Sequence, residues 1–246
     1  MEENKIDKEA VVPIYHQIKT LITKKIDDKL WNVDDMIPSE RELTNQLSIS
    51  RMTVRHAIND LVNEGVLYRK RGKGTFVGKP KIDQVLSKLS SFTEDMKKRG
   101  LKPGSKVLHV KEVPACEKIG GVLEVEEGFP VIEVFRLRLA DDEPMALERS
   151  FLPAEKVASI LNYSLENKSL YKELKEKYNL NVAFATQTIE ISYLSKPQDS
   201  DLLEVNVGTP VLLIKRHTYS DEKTPLEYVE SLYRADRYKF SIEMEK

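Results

Sequence analysis

The chain has 246 residues, of which 40% are hydrophobic and 32% are charged, which suits one or two domains with a hydrophobic core. It has no apolar run near the roughly 20 residues of a membrane-spanning helix, its polar N-terminal segment is not expected to be a signal peptide, and its single cysteine, Cys116, excludes an intramolecular disulfide. We therefore expect a cytoplasmic protein, and the formal net charge of −1 by itself says nothing about nucleic acid.

The first predicted helix covers residues 13–30. Pro13 suits its first turn, where a missing N–H does no harm. Its apolar side chains recur at helical spacing and would form one stripe, namely Ile14, Ile18, Leu21, Ile22, Ile26 and Leu30.

Two short helices joined by a tight turn are predicted next. Ser39 and Glu42 have the spacing of a capping box at the start of the first, which is expected to run to about Leu47. Ser50 is the predicted cap of the second helix, and Gly65 would end it. The buried stripe of the second helix would be Val54, Ala57, Ile58, Leu61 and Val62. This pattern predicts a helix-turn-helix, whose second helix normally enters the major groove of DNA.

Three polar residues at the start of the second helix, Arg51, Thr53 and Arg55, lie away from its apolar stripe. Arginine has the donor geometry for the O6 and N7 atoms of guanine. Because a helix N-terminus already carries a partial positive charge, two arginines there favour an external anion such as DNA. The alternative is that these residues only keep an exposed helix soluble.

A basic hairpin follows the second helix. Residues 66–69 and 75–77 have strand character, and "KRGKG" between them is a turn with Arg71 and Lys73 at its tip. Residues 51–81 contain eight lysine or arginine residues and two acidic ones, a net charge of +6 on an otherwise acidic chain. Such a segment is typical of a wing that reaches DNA phosphates or a minor groove, although basic tips also occur for solubility alone.

The pattern changes after residues 79–88, which have the composition of a linker. Alternation of apolar and polar residues predicts strands in "KVLHVKEV", "PVIEVFRLRLA", "MALERSFL", "VAFATQTIEISYL", "PVLLIKRHTY" and "LEYVESLYRADRYKF". Helices are predicted near residues 115–125, 153–162, 165–179 and 197–205. Strands and helices interspersed in this way predict an α+β or α/β domain with an antiparallel or mixed sheet.

The segment "SSFTEDMKKRG", residues 90–100, predicts a further helix. Ser91 is its expected cap, Glu94 the capping-box partner and Gly100 its end. Free N–H groups and hydroxyls at such a helix start suit an anion, although caps of this kind are common.

Two arginines in "VIEVFRLRLA", Arg136 and Arg138, would share one face of a strand roughly 7 Å apart. Two neighbouring cations repel unless an acidic group lies between them. That group would be internal, either Glu148 or Glu227, or it would be a ligand phosphate or carboxylate, which suits the arginine fork. This segment alone leaves the two alternatives open.

Nothing in the sequence favours an enzyme or a bound cofactor. The four histidines, His16, His56, His109 and His217, do not form a metal-ligand pattern, and we find no nucleophile–base pair and no glycine-rich nucleotide loop. A DNA-binding architectural protein without a ligand is a further alternative, against which the arginine pair and the large second domain both argue.

Three segments carry a resemblance to a known family, namely "PIYHQIKTLI", "PSERELTNQLSISRMTVRHAINDLVNEGVLYRKRGKGTFV" and "LSSFTEDMKKRGLKPGSKV". Together they resemble the GntR family of bacterial transcription factors, in its HutC branch. The segments "PVLLIKRHTY" and "LEYVESLYRADRYKF" resemble the end of the effector domain of that branch, the UTRA domain. Within the branch, the chain is most similar to repressors of N-acetylglucosamine utilisation.

The resemblance implies an α+β protein with a winged helix-turn-helix domain over residues 1–78, a linker over 79–88 and a chorismate-lyase-like UTRA domain over 89–246. It implies a homodimer that binds a palindromic operator and responds to glucosamine 6-phosphate or N-acetylglucosamine 6-phosphate in the UTRA domain. Relatives that sense trehalose 6-phosphate or an organic acid keep the identity of the effector open.

The residues expected to contact DNA are Arg41, Ser50, Arg51, Thr53, Arg55, Arg71, Gly72, Lys73 and Gly74. Those expected to contact the effector are Ser90, Ser91, Phe92, Thr93, Arg136, Arg138, Glu148, Ser169, Tyr171, Glu227 and Tyr233. By the resemblance, the serine-rich helix start and the arginine pair hold a phosphate, and the acidic residues meet sugar hydroxyls or an amino group. For the two tyrosines, core packing is the alternative.

Overall fold

A computed structural model describes residues 6–70, 72–86, 89–242 and 244 of the chain. The chain divides into two units, Met1–Ile82 and Asp83–Lys246, and each is described by itself. Within the described residues, no helix is both long enough and apolar enough to span a membrane.

In the part of the first unit that the structure describes there are three helices and a hairpin. They are α1 (Ile14–Asp27), α2 (Glu40–Leu47), α3 (Arg51–Asn63), β1 (Leu67–Lys70) and β2 (Gly74–Val77). The predicted helix-turn-helix and the hairpin after it are therefore confirmed, with the hairpin strands shifted by about one residue.

The core of the first unit is formed by the predicted stripes of α1 and α3. It contains Ile18, Ile22, Leu43, Val54, Ala57, Ile58, Leu61, Leu67 and Val77, all nearly inaccessible to solvent. The prediction for Leu30 was wrong, because α1 ends at Asp27 and the Leu30 side chain is 68% exposed. Lys29, with a φ of 56°, turns the chain away before Leu30 is reached.

The strands of the remaining chain are β3 (Ile82–Val85), β4 (Pro103–Pro114), β5 (Pro130–Ala140), β6 (Glu143–Pro153), β7 (Val182–Tyr193), β8 (Pro210–Ser220), β9 (Pro225–Arg234) and β10 (Tyr238–Ser241). The helices are α4 (Phe92–Lys98), α5 (Glu117–Leu123), α6 (Ala154–Val157), α7 (Leu170–Tyr178) and α8 (Pro197–Leu203), with a 3-10 turn at Ala158–Asn162.

Six of these strands form one antiparallel sheet in the order β4–β5–β6–β9–β8–β7, and β3 pairs with β10 in a second, two-stranded sheet. The α+β expectation is confirmed. Two details differ from the expected pattern: the helix predicted from residue 165 begins at Leu170, and the last predicted strand is interrupted by a turn between β9 and β10. Strand β3 lies within residues 79–88, the predicted linker, whose boundaries stay a prediction.

Strand alternation gives the six-stranded sheet two differently covered faces. One face, here called the pocket face, carries Ile132 and Val134 of β5, which pack with apolar residues of α6 and α7. The same alternation continues along β5 to Arg136 and Arg138, so the pocket face turns from apolar to polar along one strand. On the opposite face, Val131 packs in a cluster with α5, and Leu137 in a cluster with α8.

Candidate DNA-contacting surface and ligand pocket

Side-chain caps fix the helix-turn-helix. Ser39 and Glu42 form the complete capping box of α2, and Ser50 Oγ accepts a hydrogen bond from the backbone N–H of Thr53 at 3.2 Å. The hydroxyls of Ser50 and Thr53 also lie 2.8 Å apart. Because these two hydroxyls bond to each other, their first role in the free protein is to hold the start of α3.

Burial of the apolar stripe leaves the arginines of the helix-turn-helix facing outwards. Arg41, Arg51 and Arg55 are exposed, and the Arg51 side chain is 73% accessible with its Nε 3.8 Å from Glu40 Oε2. Long exposed cations at the N-terminal end of α3 can reach a phosphate or a base edge without moving the backbone. Met52, 73% exposed beside them, was missed by the sequence reasoning, which looked only for polar contacts.

The hairpin pairs Leu67 with Val77 and Lys70 with Gly74. Gly72 has a φ of 72° and Gly74 a φ of 132°, and a Cβ on Gly74 would lie 3.1 Å from Met36 Sδ. Gly74 therefore needs glycine, and the left-handed conformation of Gly72 favours it. Lys73 is exposed at the tip, and Arg71, the other predicted contact there, lies outside the described residues.

Arg69 connects the hairpin to both helices of the motif, which the sequence did not indicate. Its NH2 group donates a hydrogen bond to Asn59 Oδ1 on α3 at 2.7 Å and another to Glu40 Oε1 on α2 at 3.3 Å. The hairpin is thereby fixed relative to α3, as a wing must be to contact DNA together with that helix.

A pocket of about 530 Å³, including its open mouth, lies in the second unit on the pocket face of the sheet. It is lined by Gln84, Ser90, Ser91, Phe92, Asp95, Arg136, Arg138, Glu148, Ser169, Leu170, Tyr171, Ile214, Arg216, Glu227, Val229, Ser231 and Tyr233. All the residues expected to contact an effector are in this lining except Thr93. Thr93 lies behind it, where its Oγ1 accepts a hydrogen bond from Arg138 NH2 at 3.2 Å.

Arg136 has the internal partner that the sequence left open. It donates to Glu148 on β6, the residue directly opposite in the sheet register, and to the carbonyl of Lys168 at 3.2 Å. Burial alone would raise the pKa of Glu148, but the charges of Arg136 and Arg138 outweigh it and lower that pKa. Glu148 is therefore ionised at neutral pH.

Arg138 is less well satisfied. It is 2% exposed, its NH1 is 3.9 Å from the same Glu148 oxygen, and its guanidinium carbon lies 4.6 Å from the Phe92 ring centre. Its Nε and NH1 make no hydrogen bond within the described residues. Burial and the charge of Arg136 lower its pKa to about 10. Since buried cations are normally paired and fully hydrogen-bonded, Arg138 has donors to spare for an anion.

The starts of α4 and α7 meet at the pocket. Their caps, Ser91 and Ser169, are linked by a hydrogen bond of 3.5 Å between the two hydroxyls. Asp95 holds the approach to α4, because it accepts from Ser90 Oγ at 2.6 Å and from Gln84 Nε2 at 2.7 Å. Two helix N-termini beside two buried arginines give this end of the pocket a positive potential.

Arg216 on β8 is a third pocket arginine that the sequence reasoning missed. Its Nε donates to Gln187 Oε1 on β7 at 2.9 Å, and its NH1 lies 3.5 Å from the carbonyl of Ser90. Alternation along "PVLLIKRHTY" puts Arg216 on the same face of the strand as Ile214. Considered together with the arginine pair of β5, this alternation could have identified Arg216 as a candidate pocket residue.

Two further lining residues, Tyr171 and Glu227, are connected by hydrogen bonds through Thr218. Thr218 Oγ1 donates to Glu227 Oε2 at 3.4 Å, and Tyr171 and Thr218 hydroxyls are 3.2 Å apart, so the tyrosine is the donor of that second bond. Burial and the nearby Glu148 raise the pKa of Glu227. Tyr233 lines the pocket and also packs edge-on against Tyr238 at 4.8 Å, so packing and pocket roles coincide there.

Two family profiles match the chain. Residues 14–77 match the bacterial regulatory proteins of the gntR family, and residues 98–239 match the UTRA domain. Neither is an enzyme family, in agreement with the expectation of a regulator.

Individual relatives match over almost the full length. The HTH-type transcriptional repressor NagR of Bacillus subtilis is 41% identical over 98% of both chains. The probable fructoselysine utilization operon transcriptional repressor of Escherichia coli is 29% identical over 94% of both chains. The crystal structure of PhnF from Mycobacterium smegmatis superposes with a TM-score of 0.67 at 30% identity, covering 93% of this chain and 99% of that one.

Proposed function

Because the chain belongs to the GntR family of bacterial regulatory proteins and carries a UTRA domain, we propose that it is a cytoplasmic transcriptional repressor controlled by a phosphorylated sugar. In this proposal a homodimer binds a palindromic operator through α3 and the wing. Glucosamine 6-phosphate or N-acetylglucosamine 6-phosphate occupies the pocket and weakens DNA binding.

The ligand assignment depends on the unsatisfied hydrogen-bond donors of the buried Arg138 side chain. Two of its nitrogens make no hydrogen bond within the described residues although the side chain is 2% exposed. The starts of α4 and α7 lie beside it, with the linked hydroxyls of Ser91 and Ser169. A phosphate offers several acceptor oxygens, and arginine binds it in a bidentate manner, so a phosphate at this end satisfies the orphan donors.

Other groups in the lining support a sugar. Glu148, Glu227 and the Tyr171 hydroxyl are acceptors or donors suited to hydroxyl groups or to an amino group. The amino-sugar identity rests on the resemblance of the "SFTEDM", arginine-pair and "SLYRADRY" segments to repressors of N-acetylglucosamine utilisation. The same phosphate end would accept another small anion, such as trehalose 6-phosphate or an organic acid, and this is the alternative.

A ligand changes DNA affinity only through its different affinities for the two arrangements of the repressor. A coupling of about 1 to 3 kcal/mol is typical of such regulators. The pocket and the residues expected to contact DNA lie in different units of the chain, so the coupling has to pass from one unit to the other.

The first experiment is a thermal-shift panel on the purified full chain. The ligands are glucosamine 6-phosphate, N-acetylglucosamine 6-phosphate, glucose 6-phosphate, trehalose 6-phosphate, urocanate and inorganic phosphate. A ligand that binds only the folded state adds about 2.7 kcal/mol of stability at 100 times its dissociation constant. We expect a shift specific to the amino-sugar phosphates and lost in Arg138→Met, whose fold is expected to be intact. No shift from any sugar phosphate would overturn the ligand assignment.

DNA binding is tested separately by selection from a random-sequence duplex library with the unliganded protein. We expect an enriched palindrome, and release of that duplex when the active ligand of the panel is added. Enrichment without any effect of any ligand would favour a DNA-binding protein without an effector.

A further inference from the structure

Met52 lies on the side of α3 that points away from the core of the first unit. The buried residues of this helix are Val54, Ala57, Ile58 and Leu61. With about 3.6 residues per turn, Met52 comes opposite the middle of that stripe. Its side chain is 73% exposed. Met52 therefore contributes little to the packing of the unit.

The neighbours of Met52 on this side of the helix are polar. Arg55, His56 and Asn59 follow it at helical spacing, the first two exposed and the third half-buried. A single exposed apolar residue is ordinary on a protein surface. Met52 differs from the ordinary case by its place, the first turn of the helix expected to enter the major groove, where base edges are contacted.

The backbone around Met52 is fixed before any DNA arrives. Ser50 Oγ accepts a hydrogen bond from the Thr53 backbone N–H at 3.2 Å, and the hydroxyls of these two residues are 2.8 Å apart. Arg51 lies near Glu40, with 3.8 Å between its Nε and Oε2. The unbranched methionine side chain can still adapt its shape to the surface that it meets.

The major groove presents one apolar group, the C5-methyl of thymine, among nitrogen and oxygen donors and acceptors. We propose that Met52 is a specificity-determining residue that recognises a thymine in each half-site of the operator through that methyl group. The inference rests on the proposed function, since it needs α3 in the major groove of an operator. Met52 thereby adds an apolar contact to the hydrogen bonds expected from the arginines beside it.

The size of the effect follows from the methyl group. Removal of one buried methyl from an interface weakens binding about fourfold. A palindrome changed in both half-sites should therefore lose about fifteenfold, because the two contacts are far apart and their effects add in free energy.

The test replaces thymine by deoxyuridine, which lacks the C5-methyl but keeps the base pair and the O4 acceptor. Thymines of the duplex selected by the full chain are replaced one symmetric pair at a time, and fluorescence anisotropy measures affinity. We expect one pair whose replacement weakens the unmodified chain by about fifteenfold. This loss should disappear in Met52→Ala and remain in Met52→Leu, which keeps an apolar side chain of similar size.

Thr53→Ser is the matched control, because Thr53 also carries a methyl group at the start of α3. The serine keeps the hydroxyl that bonds to Ser50 and removes only the methyl. Whatever its overall affinity, this variant should keep the deoxyuridine loss of the unmodified chain. Deoxyuridine outside the half-sites should leave the affinity unchanged, and circular dichroism checks the fold of each variant.

Three results would overturn the proposal: no thymine whose replacement weakens binding, a loss of equal size in Met52→Ala, or a loss abolished by Thr53→Ser. The proposed function fails by a different result, namely no palindrome from the duplex library. An enriched palindrome with equal deoxyuridine losses in Met52→Ala and the unmodified chain would leave the repressor assignment intact and remove Met52 from base recognition.

Discussion

The Nε of Arg216 on β8 donates to Gln187 Oε1 on β7 at 2.9 Å, so a pocket arginine is held by the edge strand of the sheet. Its NH1 points at the carbonyl of Ser90, at 3.5 Å, in the segment that leads into α4. The position of this lining arginine therefore depends on a side chain that does not line the pocket.

The first prediction concerns the hydrogen bond from Arg216 to Gln187. Gln187→Ala should weaken sugar-phosphate binding about tenfold, the effect of one lost hydrogen bond of about 1.4 kcal/mol that positions a charged group. Gln187→Glu keeps an acceptor for Arg216 and should bind nearly as the unmodified chain does. Isothermal titration of both variants measures this, and equal loss in the two would show that Gln187 acts in some way other than as the acceptor.

The second prediction separates the two arginines of β5. Arg136→Met leaves Glu148 buried with only Arg138 at 3.9 Å, and breaking a buried pair in this way costs about 3 to 5 kcal/mol. Arg138→Met removes a buried cation with two unbonded nitrogens, so the unliganded stability should change by less than about 1 kcal/mol. Urea unfolding without ligand measures the difference.

Both methionine variants should lose the stabilisation by glucosamine 6-phosphate. Arg138→Met is the sharper test, because its fold is expected to be intact. Retained stabilisation in Arg138→Met would remove this arginine from the proposed phosphate site.

The third prediction uses the opposite pKa shifts of two pocket carboxyls. Glu227, whose pKa is raised by burial and by Glu148, stays protonated in the folded chain at a pH where the unfolded chain has lost that proton. Stability therefore falls as pH rises from the ordinary value of about 4.3 towards the raised pKa. Glu227→Gln removes this loss, so the stability of the variant relative to the unmodified chain should increase over that window.

Glu148→Gln should show the reverse. The pKa of Glu148 is lowered by the two arginines against the effect of burial, so its ionised form stabilises the fold above the ordinary pKa, and this is lost as pH falls through the lowered value. The penalty of Glu148→Gln should therefore shrink towards acid pH. Melting temperatures of the three proteins between pH 3 and pH 8 give the comparison, and parallel curves for both variants would contradict the assigned shifts.

The features that could be predicted from the sequence are those determined by residues only a few positions apart. The capping boxes of α2 and α4 each depend on two residues three positions apart, Ser39 with Glu42 and Ser91 with Glu94, and both form as predicted. Strand alternation placed Arg136 and Arg138 on one face because both lie in the same strand. The error at Leu30 arose where periodicity continued past the point at which the backbone turns.

The pocket residues that sequence reasoning missed depend on which strands become neighbours in the sheet. Arg216 reaches the pocket because β8 lies beside β9, which in turn pairs with β6, and no local pattern encodes that order. Asp95 was missed for a similar reason, since its partner Gln84 is 11 residues away on β3, in the segment predicted as a linker.

The last prediction separates base contacts from phosphate contacts in the first unit. Arg55 is exposed on α3, in the position expected for base edges, so Arg55→Ala should cost about 1 to 3 kcal/mol of discrimination between the selected duplex and a variant with one changed base pair. Lys73, exposed at the wing tip, is expected on a phosphate, so Lys73→Ala should weaken binding to both duplexes equally. It should also reduce the slope of log affinity against log salt by about 0.9 for each copy of the chain.

Fluorescence anisotropy from 50 to 200 mM salt measures both effects, with Lys175→Ala, an exposed lysine on α7, as the control. A changed base preference in Lys73→Ala, with only a changed salt slope in Arg55→Ala, would mean that Lys73 contacts a base and Arg55 a phosphate.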